Sequence, residues 1–195
     1  MTTNFTNILD HARRWVIDVH PGQSEHLLQT EYWLNQIAPD APFSVQLAAL
    51  THDMERAFPG DDAPNPALAT RPTDTVYNLA HGKRSAKFVS EWLREQRINS
   101  ELIEIISDLI VVHEYGGWPE ASLVQAADSL SFLEVNTDKF IGWIPTAQFG
   151  WGKEKTVTKF EWMYQRITVP AAQKLAIPLF DTAMKKIEEA VREIQ

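Results

Sequence analysis

Apolar residues recur at spacings of three and four along almost the whole chain, and no stretch alternates apolar and polar residues for long enough to predict a sheet. This periodicity predicts seven or eight helices separated by Pro and Gly. They lie approximately at residues 5–20, 24–38, 44–58, 74–93, 100–113, 120–135, 156–168 and 170–195. Ser24, Ser44, Asp74 and Ser100 are placed to begin four of them. We therefore expect a single all-α domain.

Two segments interrupt the helical pattern. Residues 57 to 73 are rich in Pro and form the main predicted loop, and a loop of that length in a compact domain is often functional. Residues 137 to 152 are predicted to be an irregular, aromatic-rich connection. Trp118, Trp143 and Trp151 lie near Gly or Pro in these connecting regions and are candidates for the wall of a pocket.

Composition narrows the class of protein. The 195 residues fit one domain, and 44% hydrophobic residues are enough to bury a core. The absence of Cys excludes disulfides, thiolate metal sites and a Cys nucleophile. No apolar run is long enough to cross a membrane, and the N-terminal residues do not have the order of a signal peptide, so we expect a cytoplasmic protein. The net charge of −8 disfavours a nucleic acid polymer as partner.

Four of the six His fall on predicted helices, and the one on the most apolar helix is followed directly by an Asp. His52 and Asp53 end the most apolar helix of the chain, and Asp128 lies within another apolar helix. Burying an imidazole and a carboxylate is costly unless they are paired or bound. A divalent cation binds both groups together, so this pattern favours a metal site built from nitrogen and oxygen ligands.

The order of these residues resembles the H…HD…D signature of the HD-domain superfamily of metal-dependent phosphohydrolases. His26, the His52–Asp53 pair and Asp128 occur in that order. Five segments resemble the family's helices: SEHLLQTEYWL, QLAALTHDMERAF, HGKRSAKFVSEWL, LIVVHEYGGWP and LVQAADSLSFLE. The resemblance covers roughly residues 20 to 135 and implies an HD-like bundle of seven or eight helices, with residues 136 to 195 as a helical extension of the same domain.

The resemblance implies six metal ligands. Those of a first ion are His26, His52, Asp53 and Asp128. His81 and His113 match the positions that hold a second ion in two-metal members, with Asp53 bridging. Two cations about 4 Å apart can hold both the attacking and the leaving oxygen of a phosphoryl transfer. One or two ions are compatible with the ligands, and Fe, Mn, Co, Ni, Zn and Mg are not distinguished.

Nearby charged residues are candidates for catalysis and substrate binding. Asp53 and Glu55 are predicted to be catalytic, Glu55 as a general acid or base by resemblance to some HD hydrolases. Arg56, Lys83 and Arg84 are predicted to bind a small anionic substrate, such as a phosphomonoester or a nucleotide.

Glu114, which follows His113 directly, is expected at the surface. Two alternative functions are also considered for the same residues. A di-iron oxygenase could use the same six ligands, although the spacing of 15 residues between His113 and Asp128 favours a hydrolase. A non-enzymatic metal-binding module is the third possibility, and the intact ligand set argues against it. The sequence does not indicate an oligomeric state.

Overall fold

A computed structural model describes residues 5–65, 69 and 71–194, and over these residues the chain is helical without any strand. This confirms the predicted all-α fold. The helices are α1 Phe5–Val19, α2 Ser24–Ile37, α3 Phe43–Thr51, α4 Thr75–Glu95, α5 Ser100–Val111, α6 Pro119–Val135, α7 Thr137–Trp143, α8 Lys153–Gln165 and α9 Pro170–Ile194. Three short 3-10 turns cover Met54–Ala57, Ile144–Thr146 and Gln148–Gly150. None of the described helices is both long and apolar enough to cross a bilayer.

Helices α3 and α6 form the centre of the bundle. Every residue of α3 from Val45 to Thr51 except Gln46 is buried, as the apolar sequence of this segment predicts. Helix α6 is buried from Val124 to Leu133 and packs on α2, α3, α8 and α9. Because the two central helices have little solvent-facing surface, polar residues on them are necessarily placed in the interior.

Two of the four predicted helix starts differ in the structure. Asp74 caps α4 as predicted, and its carboxylate accepts a hydrogen bond from the backbone N–H of Tyr77 at 3.1 Å. Helix α5 begins at Ser100 as predicted, and Asn99 caps it, because the Asn99 side chain accepts from the N–H of Leu102. Ser24 and Ser44 lie within the first turns of α2 and α3 and do not cap them.

The helix predicted over residues 44 to 58 is divided in two. Helix α3 ends at Thr51, and a 3-10 turn over Met54–Ala57 follows. The side chains of Thr51 and His52 both turn back onto backbone carbonyls of the last turn of α3, at 2.7 and 2.9 Å. The bond of His52 satisfies the Ala49 carbonyl, which a continuing helix would have used. Asp53 therefore lies in a turn and not on a helix.

The second half of the chain contains more helix than predicted. The segment expected to be irregular holds α7 and two 3-10 turns, and α8 begins at Lys153. Pro178, which was predicted to interrupt the last helix, lies inside α9. Phe132, Phe140 and Phe160 join α6, α7 and α8 in an apolar cluster that α9 completes. In the predicted loop over residues 57 to 73, residues 66–68 and 70 lie outside the described residues.

Candidate metal centre

The fold brings all six predicted ligands together in the interior of the bundle. Each is at most 5% exposed to solvent. They come from five regions of the chain: His26 on α2, His52 and Asp53 after α3, His81 on α4, His113 after α5 and Asp128 on α6. The burial of four imidazoles and two carboxylates at one point is what a metal centre requires.

Two carboxylate oxygens organise the centre. Asp128 Oδ1 lies 3.2 Å from His26 Nε2 and 3.5 Å from His52 Nε2. Asp53 Oδ1 lies 2.7 Å from His81 Nε2, 3.7 Å from His113 Nε2 and 3.8 Å from His52 Nε2.

Three overlapping groups of ligand atoms are close enough to hold an ion. They are His26 with His52 and Asp53, His52 with His113 and Asp128, and Asp53 with His81 and His113. Asp53 belongs to the first and the third group. Each of these groups could hold a metal ion.

The Nδ1 atom of each imidazole is already engaged. His52 Nδ1 lies 2.9 Å from the carbonyl of Ala49, and His113 Nδ1 lies 2.7 Å from the carbonyl of Ile110. His26 Nδ1 is 2.8 Å from Ser131 Oγ, which itself donates to the His26 carbonyl. Donating Nδ1–H to an oxygen fixes the tautomer in which Nε2 carries a free lone pair. The chain therefore presents Nε2 atoms to the centre.

The ends of α3 and α5 explain why two of these rings are held in this way. The last four carbonyls of a helix have no partner within the helix. His52 follows α3 and His113 lies two residues beyond the end of α5, so each ring binds the carbonyl three residues before it. His113 was expected on the helix itself, and its position in the following turn corrects that expectation.

One nitrogen of the candidate ligands is buried without a hydrogen bond to any described residue, and it tests whether a cation fits. His52 Nε2 is inaccessible to solvent and unpaired among the described residues. An unsatisfied polar atom in the interior costs about 1–3 kcal/mol. A cation held by His52 and the neighbouring carboxylates would satisfy this atom, so the residues present fit a metal ion.

A glycine allows α4 and α5 to approach closely enough to join His81 to the centre. A Cβ atom at Gly82 would lie 2.6 Å from the carbonyl oxygen of Val111. Gly82 follows His81 directly, and Val111 precedes His113 by two residues. The close contact of the two backbones places the rings of His81 and His113 with their centroids 5.2 Å apart.

The carboxylates set the protonation of the imidazoles. Burial lowers the pKa of His52, but Asp53 and Asp128 outweigh burial and raise it to about 9. Burial, together with the charge of His52, lowers the pKa of His113 to about 4. Burial opposes ionisation of Asp128, yet the Arg166 guanidinium holds its pKa well below the usual range. The centre is thus rich in ionised carboxylate.

Glu55 contacts the centre through His81. Its Oε1 lies 3.0 Å from His81 Nδ1, and Arg84 donates to its Oε2 at 3.0 Å and to its carbonyl at 2.8 Å. Burial raises the pKa of Glu55, but the hydrogen bond with His81 is among the effects that lower it overall. Both oxygens are therefore occupied, and the geometry makes Glu55 the residue that orients His81. Its predicted role as a general acid or base stays a prediction.

The three predicted substrate-binding residues lie in different surroundings. Arg56 lines the cavity beside the centre, and its Nη1 is 3.2 Å from Asp53 Oδ2. Arg84 is buried and bound to Glu55 and to Asp62, so its donors are directed away from a substrate. Lys83 is exposed on α4 and does not line the cavity. Of the three, only Arg56 is placed to meet a substrate.

Glu114 and Arg166 form a buried pair that was not predicted from the sequence. Glu114 was expected at the surface, but it is buried, and Arg166 at the end of α8 binds both its side chain and its carbonyl. Arg166 also binds Asp128 Oδ2, and its Nε donates to Ser129 Oγ at 2.8 Å. Arg166 and Glu114 are far apart in the sequence, so no local spacing could have predicted the pair.

A cavity of about 380 Å³ opens from the metal centre. Asp53, His113 and Asp128 form part of its polar base. Its walls include seven aromatic residues, with two of the three candidate Trp residues among them. The aromatic residues that line it are Phe58, Tyr77, Phe132, Phe140, Trp143, Phe149 and Trp151. Trp118 does not line the cavity and is 40% exposed.

Comparison with known protein families agrees with this geometry. The HD domain family matches residues 24–133, which includes all six clustered ligands. The chain belongs to the HD domain family. This family belongs to a superfamily of metal-dependent phosphohydrolases, and the buried His and Asp groups of this HD protein could hold a metal ion. Searches of curated proteins and of solved structures found no match. Helices α7, α8 and α9 lie outside the matched residues.

Proposed function

We propose that this HD protein is a metal-dependent phosphohydrolase that acts on a small phosphomonoester. The observation that carries the proposal is the buried, partly unsatisfied ligand set that has Asp53 in two of its groups. His26, His52, Asp53 and Asp128 would hold one ion, and His81 and His113 would hold a second ion together with Asp53. When bound, such ions supply an activated water and stabilise the charge of the transferring phosphoryl group.

The charges around the ligands favour an anionic substrate. Four buried carboxylates and four basic side chains surround the imidazoles in direct pairs. These pairs are Asp53 with Arg56, Glu55 with Arg84, Glu114 with Lys159 and Arg166, and Asp128 with Arg166. Since the carboxylates are already balanced, divalent cations would make the centre net positive. A phosphate dianion would be attracted to that charge.

The cavity favours a substrate with an apolar or aromatic part. Its volume of about 380 Å³ lies in the range of small-molecule sites. Trp151 and Trp143 form part of the wall, and Lys155 and Lys139 lie over their rings at 4.6 and 5.5 Å. A phosphomonoester whose other end is planar, such as a nucleotide, would place its phosphate at the ligands and its ring among these aromatic residues.

Hydrolysis of a substrate panel tests this proposal. The full chain, loaded separately with Mn²⁺, Co²⁺, Ni²⁺, Zn²⁺, Mg²⁺ or Fe²⁺, is assayed for phosphate release from phosphomonoesters and phosphodiesters. We expect turnover of at least one phosphomonoester, and its loss in Asp53→Ala. Lys185→Ala is the matched control, because the Lys185 side chain is exposed to solvent. Absence of turnover with every metal would contradict the proposal, and oxygen uptake by the iron form alone would support the oxygenase alternative.

A further inference from the structure

Helix α8 contributes a polar face to the metal centre, although it lies outside the residues that match the HD family. Lys159, Trp162 and Arg166 follow each other at intervals of three and four residues and share this face. Both cations stack on the indole of Trp162, with Lys159 Nζ at 4.4 Å and the Arg166 guanidinium carbon at 4.6 Å from the ring centroid. The indole thus holds the two cations in fixed positions relative to each other.

Arg166 and Lys159 differ in the hydrogen bonds that their cationic groups form. Arg166 is buried and binds Glu114 and Asp128, and its Nε donates to Ser129. Its guanidinium is therefore fully engaged by two carboxylates. Lys159 approaches only the remaining oxygen of Glu114, at 3.7 Å, which is longer than a hydrogen bond. Arg166 supplies the side-chain hydrogen bonds of Glu114, so Lys159 attracts Glu114 through its charge alone and its ammonium donors are left without an acceptor among the described residues.

Lys159 also faces the cavity. It lines the same cavity as His113 and Asp128, its side chain is 12% exposed, and its ammonium has no hydrogen bond within the part of the chain that the structure describes. The other Arg and Lys residues that line the cavity are differently placed: Arg56 is paired with Asp53, Lys139 and Lys155 donate to other groups, and Arg71 is exposed to solvent. Lys159 combines shelter from solvent with three unused donors.

We propose that Lys159 binds the phosphoryl oxygens of the substrate beside the metal centre. The inference rests on the proposed phosphohydrolase function for the identity of the ligand. An ammonium in a sheltered site forms charge-assisted hydrogen bonds with phosphate, and these are stronger than neutral ones. Arg166 acts as a positioning residue, because it holds Glu114 on one side and Asp128 on the other.

Binding of inorganic phosphate to the Mn²⁺-loaded full chain tests the proposal. Titration calorimetry is applied to the unaltered protein, to Lys159→Met, which keeps the apolar stem, and to Lys159→Arg, which keeps the charge. Lys153→Met is the matched control, since Lys153 is exposed at the start of the same helix and does not line this cavity. Circular dichroism and the metal content of each variant are measured in parallel. If Lys159→Met does not fold, Lys159→Gln takes its place.

We expect phosphate affinity to fall at least about tenfold in Lys159→Met, to stay within about threefold in Lys159→Arg, and to be unchanged in Lys153→Met. Unchanged affinity in Lys159→Met, or no phosphate binding by the unaltered protein, would overturn the inference. The assignment of Lys159 and the proposed function can fail separately. Phosphate binding that depends on Lys159 without turnover of any ester supports the site and counts against the hydrolase. Turnover with phosphate binding independent of Lys159 does the opposite.

Discussion

Replacing Arg166 by Met should destabilise the metal-free protein strongly. The guanidinium is buried and bonds with Glu114, Asp128 and Ser129. Without it, two buried carboxylates lose their principal cationic partner, although Lys159 remains 3.7 Å from one of them. Removing one member of a buried ion pair costs about 3–5 kcal/mol of unfolding free energy. Because two carboxylates share this partner, we expect a value in that range despite the apolar volume that Met restores.

Urea denaturation followed by circular dichroism measures this change. Arg192→Met is the matched control, because Arg192 pairs with Glu188 at the exposed end of α9 and such pairs contribute about 0–1 kcal/mol. Adding Glu114→Gln to Arg166→Met should recover part of the lost stability, since it removes one of the unpaired charges. Glu114→Gln alone should instead destabilise the protein. A loss below about 1 kcal/mol in Arg166→Met, or no recovery in the double variant, would refute the reasoning.

Three further predictions concern packing, protonation and the cavity. Gly82→Ala should lower the melting temperature, because the steric clash of a Cβ 2.6 Å from the Val111 carbonyl oxygen costs more than the helix-propensity gain of about 1 kcal/mol. An equal or higher melting temperature would contradict the close contact. Because its pKa is raised to about 9, His52 carries an additional proton near pH 7 in the metal-free protein, so metal binding should release protons and strengthen as pH rises. Calorimetry in buffers of different ionisation enthalpy measures this proton release, and binding heats that do not depend on the buffer would contradict it. Trp151→Ala should raise KM for an aromatic phosphomonoester about tenfold while the affinity for inorganic phosphate is kept, and an equal loss of both would count against a wall that binds the ring.

Three of the six candidate ligands could be singled out because each is a polar residue within an apolar helical sequence. His52 and Asp53 follow six apolar residues within α3, and Asp128 interrupts the buried face of α6. The six positions also matched the order of a family signature, and the HD domain match confirms the family. Residue type, local pattern and order along the chain were enough for this part.

The surroundings of the ligands depend on contacts between distant segments, which local patterns do not encode. Glu114 follows a ligand and looks like a surface residue until α8 places Arg166 against it. Lys159 and Trp162 fit an ordinary amphipathic helix, and only the packing of α8 on α6 directs Lys159 to the cavity. Lys83 and Arg84 show the same limit, because neighbouring positions on α4 are respectively exposed and buried. The rotation of α4 about its axis therefore decides which of these two cationic side chains is buried.

The number of metal ions bound per chain tests the account most directly. Elemental analysis of the purified, metal-loaded protein, with His81→Ala and Asp53→Ala as comparisons, gives this number without knowledge of the substrate. We expect two ions in the unaltered chain, one in His81→Ala and a loss of both sites in Asp53→Ala, because Asp53 belongs to two of the three ligand groups. Fewer than two ions in the unaltered chain, or full retention of metal by Asp53→Ala, would contradict the proposed centre.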